Sequence, residues 1–134
     1  MDFILRHARL QDGAPLVDIG VQGGKIAAIG PDLKETAHEE YDAEGRVVIP
    51  GLVEGHLHLD KALIADRAIN RSGTLWEAIR VTAALKPTFT REDIYDRATR
   101  ALKMEIMNGT TRIRAHSEFD PEGGMAGFET TLRI

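Results

Sequence analysis

The 134-residue chain contains no cysteine, so disulfides and thiolate ligands are excluded and any metal must be held by histidine or carboxylate. No apolar run approaches the ~20 residues that a membrane span needs. The N-terminus, Met1-Asp2-Phe3-Ile4-Leu5-Arg6-His7, lacks the apolar core of a signal peptide. Basic clusters are missing as well: 17 Lys and Arg stand against 21 Asp and Glu, a formal charge of -4, so nothing marks a nucleic-acid partner. What is present, 43% hydrophobic and 28% charged residues, is the balance of a soluble globular protein. The chain reads as soluble and cytoplasmic, long enough for one ordinary domain with a core and too short for two large ones.

The two parts of the chain follow different periods. Residues 1–50 read as short strands and tight turns: a β-like run over 3–10, alternation over 16–21, a Gly23-Gly24 turn that accepts positive φ, a return strand over 25–29, an exposed polar loop over 34–40 and a short strand over 46–49. This part looks like a segment of a small β-sandwich with few large side chains, needing further strands to cover its face. From residue 51 onward the pattern is βα. Thr74 with Glu77 three residues later forms a capping-box pattern for a helix reaching about Lys86 before Pro87. Thr90 offers a second N-cap, and Ile94, Ala98, Ala101, Leu102 and Ile106 follow at helical spacing to Asn108-Gly109. A strand is expected over 110–119.

Between these parts lies Gly51-Leu52-Val53-Glu54-Gly55-His56-Leu57-His58-Leu59-Asp60-Lys61. Two histidines two residues apart on a strand point to the same face, and two imidazoles on one face form half of a typical metal site. Alternation puts Val53, Leu57 and Leu59 on one face, with Glu54, His56, His58 and Asp60 on the other. In the later strand Ile113, Ala115 and Phe119 oppose Arg112, Arg114, His116 and Glu118. One apolar and one polar face on successive parallel strands suit the inside of a barrel, whose functional groups gather at the strands' C-terminal ends. A Glu54–Arg114 pair is expected deep inside, with the three histidines nearer the mouth.

These residues resemble the metal-dependent amidohydrolase superfamily, in its cytosine deaminase-like branch. The likeness is carried by Val48-Ile49-Pro50-Gly51 leading into the HxH stretch, by Asp18 through Gly30, by Asn70-Arg71-Ser72-Gly73-Thr74-Leu75 and by Asn108 through His116. It implies an α/β fold: part of a small β-sandwich (1–50) followed by the first βα units of a (β/α)8 TIM barrel (51–134), incomplete in this chain. It carries over His56 and His58 as ligands of a divalent metal, zinc or iron, with manganese also compatible. Asp60 belongs to the branch's extended motif, orienting ligands or bracing the loop. Leu75 matches a position that approaches substrate. His116 matches a histidine near the site's mouth, open between a site role and pairing with a neighbouring carboxylate. Ser117-Glu118-Phe119-Asp120 departs from the branch's usual continuation, against close identity with a cytosine-specific enzyme. Glu118 and Asp120 read as a solvated strand end rather than an acid/base pair. Lys61 is given no catalytic role, Trp76 is a packing residue, and His7 and His38 are surface residues.

The implied activity is hydrolysis of a C–N bond in a small heterocycle, cytosine- or triazine-like, by metal-activated water. The catalytic residues are expected on later strands absent from this chain, since a complete barrel takes ~250 residues. The expectation is therefore an N-terminal fragment, inactive alone, whose open strand edges favour a homo-oligomer or exchange with a complementary chain. The alternative function is that of an assembly module.

Overall fold

A computed structural model describes residues 1–119, 121 and 123–134, in two compact units, Met1–Pro50 and Gly51–Ile134. The first unit is a four-stranded sheet of β1 (Phe3–Ala8), β2 (Val17–Gln22), β3 (Lys25–Gly30) and β4 (Glu39–Asp42), in the order β3-β2-β1-β4. β4 runs parallel to β1 and the other neighbours are antiparallel. The β2–β3 hairpin turns through Gly23 and Gly24 at φ 58° and 71°, a region that costs glycine little. Ala8, Ile19 and Ala43 form the core, with Leu5, Val17 and Val48 against it.

Two expectations for this unit are corrected. The stretch over 46–49 makes only one bridge, Arg9 to Val47, and is not a strand. Glu39 and Glu40, expected in a loop, belong to β4 instead. The cause is Arg6, whose Nε and Nη2 donate to the two carboxylate oxygens of Glu40 at 2.9 and 3.0 Å. The same guanidinium donates to Asp18 Oδ2 at 2.9 Å and to the carbonyls of Leu33 and Glu35, closing the intervening loop over the sheet. Asp18 is only 3% exposed. Burial pushes its carboxyl pKa up, but donation from the His7 and Leu33 N–H groups and from Arg6 outweighs this and holds it below the usual range.

The second unit contains β5 (Leu52–Leu57), a 3-10 turn (Leu59–Lys61), α1 (Leu75–Leu85), a second 3-10 turn (Lys86–Thr88), α2 (Arg91–Met107), β6 (Thr110–Ala115) and α3 (Ala126–Thr131). β5 and β6 pair in parallel as a two-stranded sheet. Thr74 caps α1 by accepting from Glu77 N–H at 3.3 Å. The Glu77 carboxylate reaches past the cap to Ser72 N–H at 2.5 Å, a displaced form of the capping box. Thr90 caps α2 through Asp93 N–H at 3.1 Å. Leu59, Ala98 and Ala101 are the core, with Leu57, Ala62 and Leu102 packed on it, so α2 lies against the end of β5 and the turn after it.

Strict alternation fails at both strand ends. β6 stops at Ala115, four residues short of Phe119. Val53 and Phe119, expected on the covered face, are 68% and 74% exposed. The short helix α3 was not legible as a separate element, and Asp120 lies outside the described residues. Among the described residues no helix is long and apolar enough to cross a membrane.

Candidate functional site

β5 delivers His56 and Leu57, and the chain then leaves the strand. His58 is the N-cap of the 3-10 turn rather than a strand residue. This bend sends Leu57 and Leu59 toward α2 while the two imidazole Nε2 atoms converge on one another. His56 Nε2 and His58 Nε2 stand 3.1 Å apart. That separation is within reach of one imidazole donating to the other. It is also close to the roughly 3.3 Å between two nitrogens sharing one tetrahedral metal at about 2.0–2.1 Å bond lengths.

His116 follows β6 and extends the ladder by donating its N–H to Leu57 O at 2.8 Å. Its ring centroid lies 4.4 Å from that of His56 and 5.6 Å from that of His58. The structure thus brings His56, His58 and His116 together. Leu75 is not gathered with them in any ring or polar contact; it opens α1 and is 72% exposed. The expected Glu54–Arg114 pair does not form. Among the described residues no ion pair joins them, and Glu54 Oε1 accepts from the His56 N–H at 2.7 Å, held by its own strand.

Asp60 does not stand beside the histidines on a polar strand face, because the 3-10 turn rotates it inward. It is 7% exposed, and its Oδ2 accepts from Glu118 N–H at 3.0 Å, joining the segment after β5 to the segment after β6. Burial pushes its carboxyl pKa up. Burial lowers the pKa of His58, and the nearby Lys61 charge lowers it further, favouring the neutral imidazole that can bind a metal. Among the described residues His58 Nδ1 and Asp60 Oδ1 are buried without a hydrogen-bond partner. Glu118 is ion-paired with both Lys61 and Lys86 and is a bridging group, not a solvated strand end.

As a metal site the donor set fits in part. Two imidazoles converge at a suitable separation, but among the described residues no group of three or more His, Cys, Asp or Glu side chains could hold a metal ion.

Sequence reasoning missed Arg97. It falls between Ile94, Ala98 and Ala101 on the apolar stripe of α2 and is buried there. A charged residue inside such a stripe was the available signal.

Comparison with known proteins bears on this geometry. A sequence model of the Amidohydrolase family matches residues 39–125, taking in β5, the histidine pair, both long helices and β6. The chain belongs to the amidohydrolase family. Within that family it is similar to the N-isopropylammelide isopropyl amidohydrolase of Pseudomonas sp. (strain ADP), at 29% identity over 98% of this chain and 34% of the relative. Among solved structures, 5-methylcytosine deaminase from Klebsiella pneumoniae, liganded with 5-fluorocytosine, superposes with a TM-score of 0.82 at 31% identity over 97% of this chain and 32% of that one. N-isopropylammelide isopropylaminohydrolase from Burkholderia multivorans gives 0.71 at 25% identity over 99% and 34%. The chain spans about a third of the length of these amidohydrolase-family relatives and shares their mixed α/β architecture.

Proposed function

We propose that this chain is part of a metal-dependent hydrolase that cleaves a C–N bond of a small heterocycle, with His56 and His58 as metal ligands. The observation that carries the reading is the convergence of the two Nε2 atoms at 3.1 Å in a chain of the amidohydrolase family. The names of its relatives, a methylcytosine deaminase and isopropylammelide hydrolases, support a nitrogen heterocycle as substrate class. His56 and His58 would hold a divalent cation, zinc or iron, whose chemistry would be to lower the pKa of a water toward neutrality. The chain's own residues present two imidazole donors, favour the neutral form of His58 through burial and flank the pair with the His116 ring. Asp60 braces the segments that carry the histidines through its bond to Glu118 N–H. Leu75 is assigned to the substrate side on resemblance alone.

A second reading follows from the two-stranded parallel sheet and the two-imidazole donor set: the 134 residues act as an assembly module that needs a complementary polypeptide. Ammonia release from cytosine, 5-methylcytosine and an amino-triazine in the presence of Zn2+ or Fe2+ tests both. Turnover abolished by His56→Ala or His58→Ala supports the first reading. Turnover by the 134 residues with no added polypeptide contradicts the second. Hydrolysis that persists in His56→Ala contradicts the ligand assignment.

A further inference from the structure

We propose that Arg97 is a positioning residue for His58. From α2 it clamps the turn that follows this histidine and so fixes the imidazole beside His56. The functional consequence rests on the metal-site reading above, whereas the clamp itself does not.

The geometry is specific. Arg97 is 5% exposed, on the face of α2 that also buries Ile94, Ala98 and Ala101. Its Nη1 donates to the carbonyls of Asp60 at 3.2 Å and Ala62 at 2.7 Å, and its Nη2 donates to Asp60 O at 3.1 Å. Both carbonyls belong to the 3-10 turn and its C-cap, for which His58 is the N-cap. On its other edge, Nε and Nη2 donate to Asp93 Oδ2 at 3.0 and 2.9 Å. Asp93 is itself held by the Thr90 hydroxyl, which accepts its N–H, and by Arg67 at 3.0 Å. The Phe89 ring lies 4.6 Å from the guanidinium carbon.

A buried cation in an apolar stripe is costly unless each donor is met. Here the donors meet a carboxylate anchored to the helix start and two carbonyls of one turn. A planar fork can grip all three groups at once, and a lysine ammonium cannot. With Leu59 packed on Ala98 and Asp60 bonded to Glu118 N–H, the backbone after His58 is held from three directions.

The test compares Arg97→Met with Ile94→Ala, a substitution on the same buried face without a bond to the turn, at matched loss of stability. Zn2+ affinity is read by calorimetry and the histidine side chains by NMR. We expect Arg97→Met to weaken Zn2+ binding about tenfold or more beyond the control, the scale of losing a group that orients a ligand. The His58 imidazole resonances should shift or broaden while those of His7 and His38 stay in place. If Arg97→Met and Ile94→Ala match in both affinity and His58 resonances, Arg97 is only a stability element and the proposal is overturned. If the unaltered chain binds Zn2+ no better than His56→Ala, the metal reading fails, and the His58 resonances still decide the clamp. If Arg97→Met does not fold, Arg97→Lys decides on the same two readouts: unmoved His58 resonances and wild-type affinity overturn the proposal.

Discussion

Arginine pins a loop in each unit, and the surroundings it leaves behind differ. In Met1–Pro50, Arg6 joins Asp18, Glu40 and the carbonyls of Leu33 and Glu35, and Asp18 has donors on both oxygens. In Gly51–Ile134, Arg97 joins Asp93 to the turn after His58, yet the neighbouring Asp60 keeps one bare oxygen. Every buried side-chain atom without a partner among the described residues lies in this second unit: His58 Nδ1, Asp60 Oδ1, Asn70 Oδ1, Thr99 Oγ1 and Thr130 Oγ1. The contrast separates a polar network that completes a sheet from one that leaves donors and acceptors available.

The largest expected effect tests whether the second unit depends on its small core. Leu59→Ala should cost Gly51–Ile134 about 3 kcal/mol, since a buried leucine is lost against Ala98 and Ala101. Amide exchange should show the loss confined to that unit, and equal loss of protection in β1 and β2 would break the distinction. Next come the two buried aspartates. Asp18→Asn should destabilise the first unit by roughly 2 kcal/mol, because charge-assisted bonds from Arg6 and two N–H groups weaken. Asp60→Asn should leave the second unit unchanged or more stable at pH 7, because burial penalises the Asp60 charge and no ion pair holds it among the described residues. Urea unfolding followed unit by unit checks both, and equal losses would erase the contrast.

A smaller effect, about 1 kcal/mol, is expected from Thr90→Ala, which removes the cap of α2 and loosens Asp93 beneath Arg97. Thermal unfolding reads it. The smallest concerns His7, whose ring pairs with Asp42 at 2.9 Å and whose pKa is raised chiefly by that hydrogen bond. A raised histidine pKa contributes stability that is full below about 6.5 and lost as pH rises through the higher folded value. His7→Asn tolerates the positive φ of 51° and should flatten this part of the stability profile between pH 6 and 8. An unchanged slope would remove the pair from the account.

Much of this contrast was legible in the residues. The two caps at Thr74 and Thr90 and the glycine hairpin follow from local chemistry and appear where their patterns place them, whereas the two imidazoles meet although His58 lies beyond the strand. What alternation could not show is a chain leaving its strand. The 3-10 turn at Leu59 carries Asp60 inward and makes His58 a cap, so a period of two fails from that point. β4 was hidden because Glu-Glu-Tyr-Asp is a poor strand sequence, and only pairing with β1 and the Arg6–Glu40 contact make it one. Arg97 was hidden for the opposite reason: a charge inside an apolar stripe reads as an exception until its carbonyl partners, more than thirty residues away, are seen.

The central claim is that His56 and His58 share one metal ion. X-ray absorption on the Zn2+-loaded chain, unaltered and with His56→Ala and His58→Ala, counts the imidazoles on the metal. The account predicts two in the unaltered chain and one in each single variant. Two imidazoles retained in His56→Ala, or none in the unaltered chain, would contradict it.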